Sequence, residues 1–251
     1  MRKFIWIWAV MLFGGYASAQ QTDTLKILTY NVRNCKGLDN VTDYSRVAKI
    51  ISRIHADFVA LQELDSATER SNGVVVLDEL ARQTGMAAVY RASINYQGGK
   101  YGIGILTREK PLHTDAIALP GKEEKRSALV VEMKDYIICC THFSLTSEDR
   151  IKSVEMINQL TAGFVKPVFF AGDLNAEPDS PEMTKLAEDW QILNQVTQPT
   201  IPADKPTKCI DFVTVKKNKD FRFDVLKRVV ENEPVASDHL PVWVQVVVLS
   251  K

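Results

Sequence analysis

The sequence predicts an α+β (mixed α/β) fold, and three observations support this prediction. First, 45% of the 251 residues are hydrophobic, which allows a sizeable buried core. Second, short apolar segments with strand-like composition outnumber the segments with helical periodicity. Third, the chain has no internal repeat, low-complexity tract or long linker. Many strands with a few intervening helices are typical of α+β or mixed α/β domains.

The first 19 residues have the layout of a cleaved secretory signal peptide. Arg2 and Lys3 form a basic segment, residues 4–13 are an unbroken apolar run, and residues 17–19 (Ala-Ser-Ala) form a small-residue cleavage site. The apolar run is shorter than the roughly 20 residues that a membrane-spanning helix requires. We therefore predict cleavage of residues 1–19, no stable membrane anchor afterwards, and a secreted or periplasmic location. An uncleaved membrane anchor is the alternative.

Residues 20–251 are predicted to form a single domain, although their number would also suit two small domains. The whole chain has 31 basic and 31 acidic residues, so removal of Arg2 and Lys3 leaves a net charge of −2. Such a protein lacks the strong basic field of a tight nucleic-acid binder. The charge balance argues against high affinity for duplex DNA without excluding a nuclease. We expect a monomer.

Strand-like segments extend along the whole chain and precede most of the polar residues of interest. The predicted strands are residues 25–30, 58–62, 102–107, 128–133, 136–141, 168–171, 210–215, 221–230 and 241–249.

Helical periodicity is confined to a few segments. Residues 43–55 place Val47, Ile50, Ile51 and Ile54 on one face, which predicts an amphipathic helix. Residues 73–84 and 147–161 have a similar pattern, and Ser147 is the predicted N-cap of the second of these. A short helix is predicted after Ser180, where Pro181 suits the first helical position.

The four cysteines do not have the spacing of a compact disulfide framework or of a structural zinc site. They are Cys35, Cys139, Cys140 and Cys209, with no CxxC pair among them. Cys139 and Cys140 lie in an apolar strand, where neighbouring side chains point to opposite faces. We therefore predict that these two are buried free thiols.

Five segments bring polar side chains to the ends of predicted strands. One such residue alone indicates only a turn, because Asn and Asp favour turns. Five segments in one chain indicate a functional site, since catalytic groups are often placed on loops that follow a rigid strand. The residues are Asn31, Glu63, His142, Asp173 with Asn175, and Asp211 together with Asp238 and His239.

These residue types suit metal-assisted hydrolysis of a phosphate ester. Carboxylate and amide oxygens are the ligands that a hard cation requires, and imidazole can act as a base near neutral pH. Because no cysteine- or histidine-rich ligand cluster is present, the set favours Mg²⁺ or Mn²⁺ over Zn²⁺.

The order of the motifs TYN, QE, TH, GDLNAEPDS, IDF and SDHLPV resembles that of the endonuclease/exonuclease/phosphatase superfamily. The resemblance extends over residues 25–248, and the GDLN and SDHLPV motifs are its most specific parts. It implies a four-layer sandwich, in which two packed β-sheets are flanked by helices and the active site lies at one rim.

The resemblance also implies a role for each matching residue. Glu63 matches the principal metal ligand, Asn31 lies beside it and touches metal or phosphate, and Asp238 is expected near the metal. Asp173 and Asn175 match the pair that orients the nucleophile and holds a phosphoryl oxygen.

The remaining matches concern proton transfer and phosphate binding. His239 matches the general base, oriented by Asp211. His142 matches a second histidine that contacts phosphate or acts as a general acid, and Arg126 matches a phosphate-contacting arginine. The deoxyribonucleases of this superfamily pair the histidine at the position of His142 with a glutamate. The resemblance is incomplete here, because residues 97–101 contain no acidic residue.

The function predicted from these features is a secreted, metal-dependent phosphoesterase that uses water activated by His239. Its substrate would be a small molecule, a lipid headgroup or a short nucleic acid. A secreted nuclease is the alternative within this class, supported by the basic stretch at residues 216–219. A catalytically inactive binding protein on the same fold is the alternative from another class.

Overall fold

The structure is a computed structural model that describes residues 23–251. The predicted signal peptide, residues 1–19, lies outside the described residues. Between residues 23 and 251, no helix is long and apolar enough to cross a membrane.

The described residues form a chain of strands with a few helices between them. The strands are β1 (Asp23–Asn31), β2 (Phe58–Ser66), β3 (Ala87–Tyr96), β4 (Gly99–Thr107), β5 (His113–Leu119), β6 (Arg126–Glu132), β7 (Ile137–His142), β8 (Val168–Asp173), β9 (Trp190–Ile192), β10 (Asp211–Lys216), β11 (Phe221–Val230) and β12 (Val242–Ser250). The helices are α1 (Tyr44–Ile54), α2 (Val76–Thr84), α3 (Ser147–Leu160) and α4 (Pro181–Asp189).

The strands form two six-stranded sheets. Their orders are β11-β12-β1-β2-β4-β3 and β5-β6-β7-β8-β10-β9. In each sheet one central pair is parallel, β1 with β2 and β7 with β8, and the other neighbours are antiparallel. Polar residues lie at the carboxyl ends of both parallel pairs, where the chain leaves each sheet.

Three apolar clusters hold the layers together. One lies between the sheets and includes Phe58 and Phe169. A second packs α1 and α2 on the outer face of the first sheet, and a third packs α3 and α4 on the outer face of the second. This arrangement confirms the predicted four-layer α+β sandwich.

The helix predictions are confirmed with small changes at the ends. Asp43 caps α1 by accepting a hydrogen bond from the backbone of Arg46, and Ser180 caps α4 in the same way. The predicted N-cap Ser147 is wrong, because the cap of α3 is Thr146. The hydroxyl of Ser147 donates instead to Glu182, at 2.8 Å.

The sequence did not predict β3, β5 and β9, and all three are edge strands. Every described side chain of β3 is at least partly exposed, and β5 and β9 each bury one residue fully. An edge strand has only one neighbour and a mixed environment, so it lacks the continuous apolar run of a central strand.

The four cysteines are buried and make no disulfide. Cys140 faces the core between the sheets, whereas Cys139 faces the helices α3 and α4. The prediction of buried free thiols on opposite faces of one strand is confirmed.

Candidate active site

The predicted site residues meet at one end of the two sheets. Parallel pairing places Asn31 beside Gln62 and His142 beside Asp173, while the antiparallel β10 brings Asp211 opposite Asp173. Gly172, just before Asp173, allows this close pairing, since a Cβ there would overlap the carbonyl oxygen of Thr141.

Asp173 is the common neighbour of the other groups, and only 1% of its surface is exposed. Its Oδ2 accepts a hydrogen bond from Asn31 Nδ2 at 3.0 Å, and its Oδ1 accepts one from the backbone N–H of Asn175 at 3.0 Å. Both imidazoles approach Oδ2, His142 Nε2 at 3.4 Å and His239 Nε2 at 3.6 Å. The carboxylate of Asp173 thus lies beside both histidines and also binds Asn31.

His239 and Asp211 form a buried pair, as the sequence predicted. Nδ1 of His239 donates to Asp211 Oδ2 over 2.9 Å, and Thr200 Oγ1 donates to the same oxygen over 2.5 Å. Burial by itself opposes protonation of His239. The negative charges of Asp211 and Asp173 outweigh burial and raise its pKa to about 10. These two carboxylates therefore favour the imidazolium form of His239.

His142 has the opposite environment. Its Nδ1 faces Arg126 Nη1 at 3.3 Å. Burial lowers the pKa of His142 to about 4, with Arg126 and His239 adding to this effect and Asp173 opposing it. A neutral His142 can accept from Arg126 at Nδ1 and donate from Nε2. This state suits a hydrogen-bond donor to phosphate better than a general acid at neutral pH.

Glu63 occupies a β-bulge in β2, which continues beyond the strand end predicted at residue 62. Its backbone is left-handed, with φ of 60°. Such a conformation costs roughly 1–3 kcal/mol for a residue with a side chain, so the surrounding structure must enforce it. The bulge places Glu63 Oε1 within 3.0 Å of Asn31 Nδ2.

The acidic cluster around Glu63 fits a divalent cation. Burial raises the pKa of Glu63, and the charges of Asp238 and Asp173 raise it further, against the hydrogen bond from Asn31. Carboxylates that repel one another in a partly buried site are stabilised by a bound cation. Glu63, Asp238 and Asn31 supply the oxygen ligands that Mg²⁺ or Mn²⁺ prefers. Asn31 currently directs its amide nitrogen towards the carboxylates, so ligation through oxygen requires this amide to turn over.

A second set of possible ligands consists of Asp173, Asp211 and His239, whose ligand atoms lie within 4.8 Å of one another. The short distances in this set reflect hydrogen bonding, because Asp211 Oδ2 already accepts from His239 and Thr200. The oxygen-rich side of the site, near Glu63, is therefore the better candidate position for a cation.

Asn175 and Arg126, which were predicted to contact phosphate, both contact protein groups in the structure. Asn175 has a left-handed backbone, with φ of 49°, and its Nδ2 donates to the carbonyl oxygen of Phe143 over 2.9 Å. The guanidinium of Arg126 is buried, and its Nη1 donates to Glu124 over 2.8 Å. Nε of Arg126 has no hydrogen-bond partner among the described residues.

Sequence reasoning missed two residues that position the site. Thr200 bonds to Asp211, and no motif marks it, since it lies in an irregular segment of the chain. Ser237 Oγ donates to the carbonyl oxygen of Asn31 over 2.8 Å and ties the segment before β12 to the end of β1. Its position in the SDH motif beside Asp238 was the available signal.

The comparisons with known proteins agree with this geometry. The sequence model of the Endonuclease/Exonuclease/phosphatase family matches residues 28–239. No match was found among curated protein sequences.

Several solved structures share the fold at low sequence identity. A mannosyl-6-phosphatase from Bacteroides thetaiotaomicron VPI-5482 has 17% identity and a TM-score of 0.67, over 88% of this chain and 99% of that one. The human Nocturnin catalytic domain has 16% identity and a TM-score of 0.68, over 90% and 97%. A humanized TDP2 from D. rerio has 18% identity and a TM-score of 0.69, over 89% and 98%.

Proposed function

The chain belongs to the Endonuclease/Exonuclease/phosphatase family, and on this basis we propose that it is a secreted, divalent-metal-dependent phosphoesterase. The proposed reaction is attack on the phosphorus atom by water that His239 activates. The bond from phosphorus to the ester oxygen breaks, and the departing alcohol takes up a proton from solvent. The observation that carries the proposal is that Asp173 lies beside the buried His239–Asp211 pair and is joined through Asn31 to the carboxylate of Glu63.

In the proposed mechanism, neutral His239 takes the proton of the attacking water at Nε2. Asp211 holds the ring through Nδ1 and stabilises the imidazolium that forms. His142 Nε2 and the amide of Asn175 donate hydrogen bonds to the phosphoryl oxygens. Arg126 orients His142 through the contact with its Nδ1. When bound by Glu63, Asp238 and Asn31, Mg²⁺ or Mn²⁺ would offset negative charge that develops on those oxygens.

A small phosphate ester is the substrate class that we favour. The mannosyl-6-phosphatase is one neighbour with this fold. The basic stretch at residues 216–219 gives little support to the nuclease alternative, because it lies at the far end of β10 from Asp211. There Lys216 Nζ donates to Thr161 Oγ1 over 2.7 Å, and Lys217 Nζ donates to the carbonyl oxygen of Ala187 over 2.7 Å.

Metal dependence is tested by chelation and by Glu63→Gln. We expect chelator to abolish hydrolysis of bis-p-nitrophenyl phosphate and excess Mg²⁺ to restore it. Glu63→Gln should weaken Mg²⁺ binding in calorimetry, because an amide offers the cation no negative charge. Glu109→Gln, the same change on an exposed residue outside the site, is the matched control. Full turnover in chelator would exclude the metal-dependent mechanism.

The nuclease alternative is tested by affinity for long duplex DNA. With a net charge of −2 after cleavage of residues 1–19, we expect weak binding at physiological salt, since binding to DNA depends on the phosphates that the protein neutralises. Fluorescence anisotropy measures this affinity. Nanomolar binding at that salt would favour a nuclease.

A further inference from the structure

We propose that Lys36 and Arg70 form a subsite for a second phosphate group of the substrate, beside Glu63. This inference rests on the proposed phosphoesterase function and narrows its substrate class to phosphate esters that carry a further phosphate. The second phosphate can belong to a small bisphosphate or to the neighbouring nucleotide of a short strand, and both present the same chemistry to the subsite.

The subsite is a cavity of about 400 Å³ whose lining is polar and rich in cations. Glu63 forms part of its wall, so the cavity adjoins the proposed cation ligands. The other lining residues are Arg33, Asn34, Lys36, Asn40, Thr42 and Arg70.

Arg70 is held in place before any ligand binds. Its Nε and Nη2 donate to the two oxygens of Asp65 at 2.7 and 2.9 Å, and the carboxylate of Asp65 is fully buried. The guanidinium stacks on Tyr96 at 4.6 Å and on Tyr101 at 5.4 Å. The remaining nitrogen, Nη1, has only a 3.5 Å contact with the hydroxyl of Tyr96. It is therefore available to an anion in the cavity.

Lys36 supplies the charge that no protein group balances. Within residues 23–251, no carboxylate lies within ion-pair distance of its ammonium group, although the side chain is partly buried. Arg33, in contrast, is paired with Asp238 at 3.6 Å, and Arg70 is paired with Asp65. A partly buried cation without a partner favours a bound anion.

Backbone contacts hold the loop that carries Lys36. The backbones of Lys36 and Thr42 pair as an isolated antiparallel β-bridge across the loop. The backbone N–H of Leu38 donates to the carbonyl oxygen of Val235 over 2.9 Å. Gly37 is required there, since a Cβ would overlap that same carbonyl oxygen of Val235. The backbone contacts fix the position from which the Lys36 side chain extends into the cavity that Glu63 also lines.

The test compares kcat/KM for matched esters with one and two phosphates. One pair is fructose monophosphate and fructose bisphosphate. The other is the p-nitrophenyl ester of thymidine monophosphate with and without a further phosphate on the sugar. Lys36→Gln should lower kcat/KM about tenfold or more for the doubly phosphorylated member of a pair, as expected for the loss of a charge-assisted contact. The singly phosphorylated member should change less than about twofold.

Two further variants complete the test. Lys110→Gln, on an exposed loop after β4, should leave kcat/KM unchanged for both members of each pair. Arg70→Lys keeps a cation beside Asp65 but loses the planar fork, so it should reduce the preference for two phosphates without unfolding the chain. An effect in the sugar pair alone identifies a small bisphosphate, and an effect in the nucleotide pair alone identifies a strand. Equal losses for both members of each pair, or no loss in either pair, would overturn the subsite.

Calorimetry separates failure of the subsite from failure of the phosphoesterase function. If the wild-type chain hydrolyses none of the four esters with Mg²⁺, the phosphoesterase function fails. The subsite still predicts that fructose bisphosphate binds the wild-type chain about tenfold more tightly than fructose monophosphate, and that Lys36→Gln removes this difference. Equal affinities for the wild-type chain would refute the subsite.

Discussion

His142 and His239 approach the same oxygen of Asp173, yet their pKa values are shifted in opposite directions. His239 is paired with the carboxylate of Asp211, and its pKa is raised to about 10. His142 is buried beside the guanidinium of Arg126, and its pKa is lowered to about 4. Burial lowers the pKa of both rings, and at His239 the charges of Asp211 and Asp173 outweigh this effect. The difference shows that two histidines in one site can take separate roles, one in proton transfer and one in hydrogen bonding.

The largest expected effect concerns proton transfer by His239. We expect His239→Ala to lower kcat by about 10² to 10⁴, the usual range for loss of a positioned base. His142→Ala should cost less, about tenfold, because a neutral donor contributes one hydrogen bond to the phosphate. The measurement is turnover of bis-p-nitrophenyl phosphate with Mg²⁺ by folded variants. Equal losses for the two variants would remove the distinction between the two histidines.

Asp211 should act as one unit with His239. We expect Asp211→Asn to cost no more than His239→Ala, and the double variant to lose far less than the product of the two single losses. Additive losses would show that Asp211 acts independently of the imidazole.

The second effect is a stability profile with two limbs in the metal-free chain. The lowered pKa of His142 makes the unfolded chain bind more protons than the folded one. Stability is therefore full above pH 6.5 and is lost as the pH falls towards 4. The raised pKa of His239 acts in reverse, with full stabilisation below pH 6.5 that is lost as the pH rises towards 10.

Each limb should amount to no more than about 3 kcal/mol for His142 and a few kcal/mol for His239, at about 1.4 kcal/mol per pKa unit. Urea unfolding in chelator measures the profile. His142→Gln should flatten the acidic limb alone, and His239→Gln the alkaline limb alone. An acidic limb that persists in His142→Gln would show that another group controls it.

The smallest effect is the response of the two rings to a cation. Mg²⁺ bound near Asp238 and Asp173 would offset the charges that raise the pKa of His239, so we expect this pKa to fall. The pKa of His142 should stay well below its ordinary value. NMR titration of the two imidazoles with and without Mg²⁺ measures both. Turnover should rise with pH through the pKa of His239, because only the neutral ring accepts a proton.

Much of the fold could be predicted from local patterns. Several central strands are buried on two faces, so each appears in the sequence as an apolar run, as in residues 168–171. The edge strands β3, β5 and β9 could not be predicted in this way. Their side chains are partly exposed to solvent, and their pairing depends on the neighbouring strand more than on their own sequence.

The sequence by itself determined which residues could carry the chemistry, because polar groups at the ends of apolar strands are visible in the order of residues. It placed Asn31, His142 and Asp173 at strand ends, whereas Glu63 lies in a bulge of a strand that continues to Ser66. Strand pairing within each sheet and packing of the two sheets then brought these residues together. Only the tertiary structure decided their charge states, since a pKa depends on burial and on partners distant in the chain. Arg126 stands 16 residues from His142, and Thr200 stands 11 residues from Asp211. No local pattern records either contact.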